Sequence, residues 1–221
     1  MKQLIFFSIV LLAMTSCNLK PQASSNEKAE IVADSCDSQL ISPADKMEIE
    51  KLFRNMIEWD NNDTIRIDLL PAIADEQDSI YIGFDFQKLE ITIQQLRNTG
   101  FFSETFIDNY KRIITELDRK LRNKKLENWP VGELPTFKFA NDYDPFSNSQ
   151  DIAPIDSIGF ISGNQKNVEA KWFTKWPNIN GDIETYENCD CHFEKENGSW
   201  KISYLSGFDY ENGIKKDGVV E

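Results

Sequence analysis

Hydrophobic positions along this chain follow three rules in succession. Leu4 to Met14 is an apolar run, Asn18 to Ile41 has no period at all, and from Ser42 onward the apolar residues recur first at helical and then at strand spacing. The first helix is predicted behind Ser42-Pro43-Ala44-Asp45, where a capping serine, a proline at the first helical position and an acidic first turn coincide. Ile49, Leu52, Phe53 and Met56 then share one face, and Asp60-Asn61-Asn62-Asp63 stops the helix. Thr64 to Leu70 alternates weakly, as a short strand does, and Pro71 through Asp78 reads as a loop. Asp85 is placed to cap a second helix carrying Phe86, Leu89, Ile93 and Leu96, with Gly100 as its left-handed stop. Ser103 caps a third, with Phe102 set to staple onto Ile107. Its apolar face, Phe106, Tyr110, Ile113, Leu117 and Leu121, reads as core rather than as a cofactor pocket.

Trp129-Pro130 and Leu134-Pro135 break the chain, and Asn141 to Asp151 forms an acid- and amide-rich hinge. Beyond it the period becomes two. Ile155 to Ile161 is a first strand; Val168, Ala170, Trp172, Thr174 and Trp176 share one face of a second. Ile183, Thr185, Glu187, Cys189, Cys191 and Phe193 share a face of a third, and Trp200, Ile202 and Tyr204 of a fourth. Glu196-Asn197-Gly198-Ser199 is a hairpin turn, since Asn-Gly tolerates the positive φ angles it needs. Helices first and strands after predict an α+β class, with N-terminal helices packed on one face of an antiparallel sheet of about four strands. The expected division is a signal peptide over 1–16, a tether over 17–41, one domain over 42–206 and a frayed tail over 207–221.

At 221 residues, with 40% hydrophobic and 12% aromatic content, the chain can bury one sizeable core. A net charge of -13 argues against nucleic acid, which needs a basic footprint. Lys2, the short apolar run and Met14-Thr15-Ser16-Cys17 have the form of a lipoprotein signal, too short for a permanent span. Cleavage there makes Cys17 the lipidated first residue and the membrane a partner through acyl chains. The expected location is the cell envelope, lipid-anchored on the periplasmic or surface side, with free secretion as the alternative. In that oxidising compartment Cys36, Cys189 and Cys191 allow at most one internal disulfide, from Cys36 to Cys189 or Cys191.

Two constellations carry candidate chemistry. Cys189-Asp190-Cys191-His192 contains the sole histidine, but a zinc site wants four ligands and wider spacing, and His192 faces away from both cysteines on a strand. No metal and no cofactor is assigned. Asp142, Asp144 and Asp151 in the hinge carry hard oxygens that suit Ca²⁺, or a pair of carboxyls that suits general acid and base work. The spacing does not match an EF-hand, and Asp and Asn beside Pro145 also make ordinary turns to their own backbone. Asp60 with Asp63 reads as solvated charge, and nothing resembles a phosphate loop or a nucleophile elbow.

Asp144-Pro145-Phe146 followed by Gln150-Asp151, and the hairpin ending Gly198-Ser199-Trp200-Lys201-Ile202, resemble a family of exported Gram-negative proteins, many of them lipoproteins, classed as a domain of unknown function. The Phe101-Phe102-Ser103 segment and the lipoprotein start are similar to exported proteins of Bacteroidetes. The resemblance implies a cystatin-like cone, as in nuclear transport factor 2, in which a curved sheet wraps around helices and leaves room for a pocket. It assigns no catalytic residue, and carries Asp144, Gln150 and Asp151 only as signature positions, with Asp142 beside them as a candidate ligand group. The expected function is a non-enzymatic module that binds an envelope protein or a small ligand, the alternative being an enzyme using hinge aspartates in a cone pocket.

Overall fold

Three helices, a small hairpin and a four-stranded antiparallel sheet make up the regular structure of the computed structural model, which describes residues 41–62, 67–75, 77, 79–140, 143–148, 155–177 and 180–216. Helix α1 spans Pro43–Asp60, α2 Phe86–Thr99 and α3 Glu104–Arg122. Each starts where its cap stands. The Ser42 hydroxyl accepts from Asp45 N at 3.0 Å, Asp85 accepts from Gln87 N and Lys88 N at 2.9 and 3.2 Å, and Ser103 accepts from Phe106 N at 3.3 Å. Gly100 ends α2 at φ 74°, a left-handed conformation that glycine adopts without steric cost. The five apolar residues predicted for α3 are all buried, and Phe102 stacks on Phe106 with ring centroids 4.4 Å apart.

Between α1 and α2 the structure departs from the sequence expectation. Residues 67–70 form no strand, and the segment read as loop carries β1 (Ala72–Asp75), which pairs in a hairpin with β2 (Ile80–Phe84) beyond it. Its stability comes from a remote partner. Tyr81 N donates to Trp129 O at 2.8 Å, Val131 N donates to Ser79 O at 2.9 Å, and the Tyr81 and Trp129 rings lie 4.2 Å apart. Gly83 lets β2 run against α3, because a Cβ there would sit 2.7 Å from Asp118 Oδ1, the atom that accepts from Phe84 N.

The main sheet runs in the order β3-β4-β5-β6, with β3 Ile155–Gly163, β4 Asn167–Pro177, β5 Ile183–Glu196 and β6 Ser199–Leu205. Asn197 and Gly198, at φ 51° and 87°, turn β5 into β6. Val168, Ala170, Trp172 and Thr174 of β4 point inward with Cys189, Cys191, Phe193, Trp200 and Ile202. Phe53 of α1 meets this face at Trp172 and Phe193, at 5.6 and 6.1 Å.

Two bulges change which residues face the core. Trp172 pairs with Cys189 but Phe173 with Glu187, so one extra residue of β5 flips the earlier part of that strand. Ile183 and Thr185 therefore leave the Cys189 face, and Ile183 is 64% exposed. Phe193 pairs with Ile202 but His192 with Tyr204, which turns Tyr204 away from Trp200 and Ile202 to stand beside His192, rings 4.7 Å apart.

Both outer edges of this sheet are managed. Along β6, Ser103 N donates to Ile202 O and Ile202 N to Phe101 O, each at 2.9 Å. At β3, the Arg54 guanidinium donates to Ile155 O at 2.9 Å and Asp156 O at 3.2 Å, next to a register shift in that strand.

The end of the chain also differs from expectation. Residues 207–216 do not fray: a 3₁₀ turn (Ser206–Phe208) and a wide turn (Tyr210–Ile214) follow β6, and Phe208 and Ile214 are buried. The buried Lys120 of α3 donates to Ile214 O at 2.5 Å, and Asn109 donates to Phe208 O at 2.8 Å. Two apolar anchors and two side-chain donors thus compensate the ordering of a Gly- and Lys-containing segment.

Candidate functional site

The hinge is organised by Asp144. Its Oδ1 accepts from Phe146 N at 2.7 Å and Ser147 N at 3.2 Å, and its carbonyl accepts from Asn148 N at 2.7 Å, so the carboxylate is spent on turning the backbone. The turn drives Pro145, Phe146 and Ser147 inward. Phe146 lies 5.5 Å from Trp59, 5.6 Å from Phe102 and 5.0 Å from Phe208, measured between ring centroids. It is a wedge that joins the end of α1, the start of α3 and the C-terminal turn. Pro145 O packs on Gly207, where any Cβ would overlap it. Asp142, Gln150 and Asp151 lie outside the described residues.

Asp60, read from the sequence as solvated charge, is instead a second member of this site. As the last residue of α1 it is half-buried and feels the carboxyl of Asp144. Burial first, and the Asp144 carboxylate second, push its pKa up to about 7. Asp63, its expected companion, is outside the described residues. A sequence signal existed: an acid in the last turn of a helix sits against the dipole and asks for a reason.

Beside the wedge, the hinge and the C-terminal turn enclose a cavity of about 280 Å³. Phe139, Tyr143, Pro145 and Asn148 line it from the hinge side; Ser206, Gly207, Asp209, Asn212, Gly213 and Ile214 line the other. Ala140 and Asn148 hold left-handed backbone at φ 54° and 50°, costing on the order of 1 kcal/mol each for residues with a Cβ. Asp209, like Asp144, is committed to backbone: it accepts from Asn212 N at 3.0 Å and from Asn212 Nδ2 at 2.8 Å. Burial, then the negative charge of Asp209, push the Tyr204 hydroxyl up. Tyr143 stands at the rim, 56% exposed. Neither Asp60 nor Asp144 is among the residues lining this cavity.

The cysteine pair is inert by comparison. Cys189 and Cys191 are buried free thiols, and burial raises both above the ordinary thiol range. Cys191 donates to Ala170 O at 3.3 Å, and the Ser206 hydroxyl donates to Cys189 Sγ at 3.2 Å. Cys17 and Cys36 lie outside the described residues. His192 pairs across the strands with Tyr204 and faces away from both thiols. Among the described residues no group of three or more His, Cys, Asp or Glu side chains converges as a metal site, and no helix is long and apolar enough to cross a membrane.

What the geometry defines is therefore an α+β domain with a polar cavity and two carboxyls beside it. No family model, no curated protein and no solved structure matches the chain.

Proposed function

We propose that this chain is a cell-envelope lipoprotein, anchored through Cys17, whose domain is a non-enzymatic module that binds a small ligand in the cavity between the hinge and the C-terminal turn. The observation that carries this reading is the character of the cavity walls. Asp209, the aspartate among the lining residues, is engaged by Asn212 N at 3.0 Å. What lines the space is ring surface, amide groups, glycine backbone and the Lys138 side chain, which suit recognition of a polar ligand. At about 280 Å³ the space is at the small end for a ligand site, of the size that takes one ring or one amino-acid-like group.

Gly213 supplies a direct test, because it lines the cavity and a Cβ there meets no atom within 4 Å. A thermal-shift screen of the purified chain against amino acids, monosaccharides and short peptides should give hits that Gly213→Gln abolishes. Absence of any hit, together with turnover of a substrate, overturns the reading. The anchor is tested separately: palmitate labelling and detergent partitioning should vanish in Cys17→Ser, and their persistence removes the lipoprotein assignment. Secretion without an anchor is the alternative location.

The rival reading, an enzyme with hinge aspartates as acid and base, draws some support from Asp60, whose value near neutrality suits a general acid. Neither Asp60 nor Asp144 is among the residues lining the described cavity, so this reading requires a different space beside the acid pair.

A further inference from the structure

We infer that the cavity between the hinge and the C-terminal turn takes a neutral sugar, a single pyranose unit held with its ring against Tyr143. This rests on the small-ligand reading of that cavity and names the class of ligand. One cation, Lys138, and one anion, Asp209, are among the lining residues, so the walls as a whole match no net charge on a ligand. Neither charge is set to clamp an ion. Lys138 is exposed, where water and salt screen its field. Both oxygens of Asp209 already accept from Asn212, Oδ1 from its backbone N at 3.0 Å and Oδ2 from its Nδ2 at 2.8 Å.

What these bonds leave over is a mixture of donors and acceptors. A carboxylate oxygen bound once has a second lone pair to offer, and the Asn212 amide nitrogen has a second N–H. The Ser206 hydroxyl donates to Cys189 Sγ at 3.2 Å, so what remains to it is an accepting oxygen. Ligand groups that both donate and accept satisfy such a set. Hydroxyls do so, whereas an ammonium only donates, a carboxylate only accepts, and each brings a full charge to be compensated. The wall groups are also oriented beforehand. The Asn212 side chain is held on one side by Asp209 and on the other by Lys216 Nζ, which donates to its Oδ1 at 3.0 Å, so binding spends less entropy on ordering it.

A pyranose is polar around its edge and apolar on its C–H faces, and the cavity offers surface for both. Tyr143 stands at the rim, 56% exposed, and the negative face of an aromatic ring attracts weakly positive C–H groups. Phe139 and Ile214, both buried, add apolar surface to the walls. About 280 Å³ gives room for one ring unit, so any longer saccharide extends into solvent past Tyr143.

The full chain titrated with glucose, galactose and N-acetylglucosamine, with free glycine, glutamate and lysine as charged comparators, tests the inference in ¹H–¹⁵N spectra. At least one sugar should bind, with shift changes confined to the lining residues of the hinge and the C-terminal turn. Its affinity should be the same at about 50 and about 500 mM salt, since no net charge is neutralised. Tyr143→Ala should weaken binding about tenfold, and Tyr143→Phe, which keeps the ring, by less than about twofold. Gly213→Gln should abolish it. Sugar binding that survives Gly213→Gln, or that is indifferent to Tyr143→Ala, overturns the inference. If only the charged comparators bind, and Gly213→Gln abolishes that binding, the sugar is overturned while the small-ligand reading stands; if no probe binds, both fall. Should a variant fail to fold, the shift map and salt series of the natural chain decide alone.

Discussion

Helix α1 carries an aspartate at each end, and the two are driven in opposite directions. Asp45, in the first turn, accepts from Lys195 Nζ at 2.7 Å, from the Ser42 hydroxyl at 2.7 Å and from Trp200 Nε1 at 2.8 Å. These bonds, Lys195 foremost, hold it down at about 2. Asp60, in the last turn, meets burial and a second carboxylate and rises to about 7. The residue type is the same and the helix is the same. Donors and a favourable dipole surround one carboxyl, whereas lost water and a like charge surround the other. The N-terminal end is thereby fastened to β5 and β6 by an ion pair and an indole N–H, while the C-terminal end meets the hinge through the Trp59 and Phe146 rings, 5.5 Å apart. Asp45 contributes stability above 3.8 that is lost as pH falls toward 2, and Asp60 contributes stability below 3.8 that is lost as pH rises through about 7. Together they place the stability maximum of α1's attachments on the acid side of neutrality.

The largest expected effect tests how far the C-terminal fastening rests on packing. Phe146→Ala should cost about 3–5 kcal/mol in urea unfolding, because the wedge fills space among Trp59, Phe102 and Phe208. A loss below about 1 kcal/mol would mean that the site collapses and that the wedge is no more than a surface contact. Next comes the N-terminal end. Asp45→Ala strands the buried Trp200 indole N–H and the Lys195 ammonium without their acceptor, for an expected loss of about 1–3 kcal/mol. The comparison sharpens if Asp45→Asn keeps part of that stability and removes the steep fall of the natural chain below pH 4. The smallest effect is at the cap: Ser42→Ala should cost about 1 kcal/mol, since Asp45 N loses its acceptor while Lys195 and Trp200 keep theirs. Equal losses from Ser42→Ala and Asp45→Ala would show that the Asp45 network adds nothing beyond capping.

Of the four hinge residues named from the sequence, Asp144 is the one among the described residues, and its turn chemistry was legible because Asp and Asn beside Pro145 make turns to their own backbone. Asp142, Gln150 and Asp151 lie outside the described residues. Asp60, Tyr143 and Asp209 were missed, since nothing near any of them in the chain shows that the end of α1, the hinge and the C-terminal turn converge. Asp60 in particular was paired by proximity in sequence with Asp63, whereas its partner in space is Asp144.

The sequence by itself determined the features that a few neighbouring residues can enforce. The Ser42, Asp85 and Ser103 caps, the Gly100 stop, the Asn197-Gly198 turn and the apolar stripe of α3 are local bonds or local periods. Only the tertiary structure decided the β1–β2 hairpin, which depends on Trp129, and the bulges that turn Ile183 and Tyr204 from the face their alternation predicted. It also decided the packing of Phe208 and Ile214, and which of α1's two aspartates is held down and which is pushed up. Periodicity specifies a face but not the partner that covers it, and a carboxyl's charge is set by whatever the fold brings within a few ångströms of it.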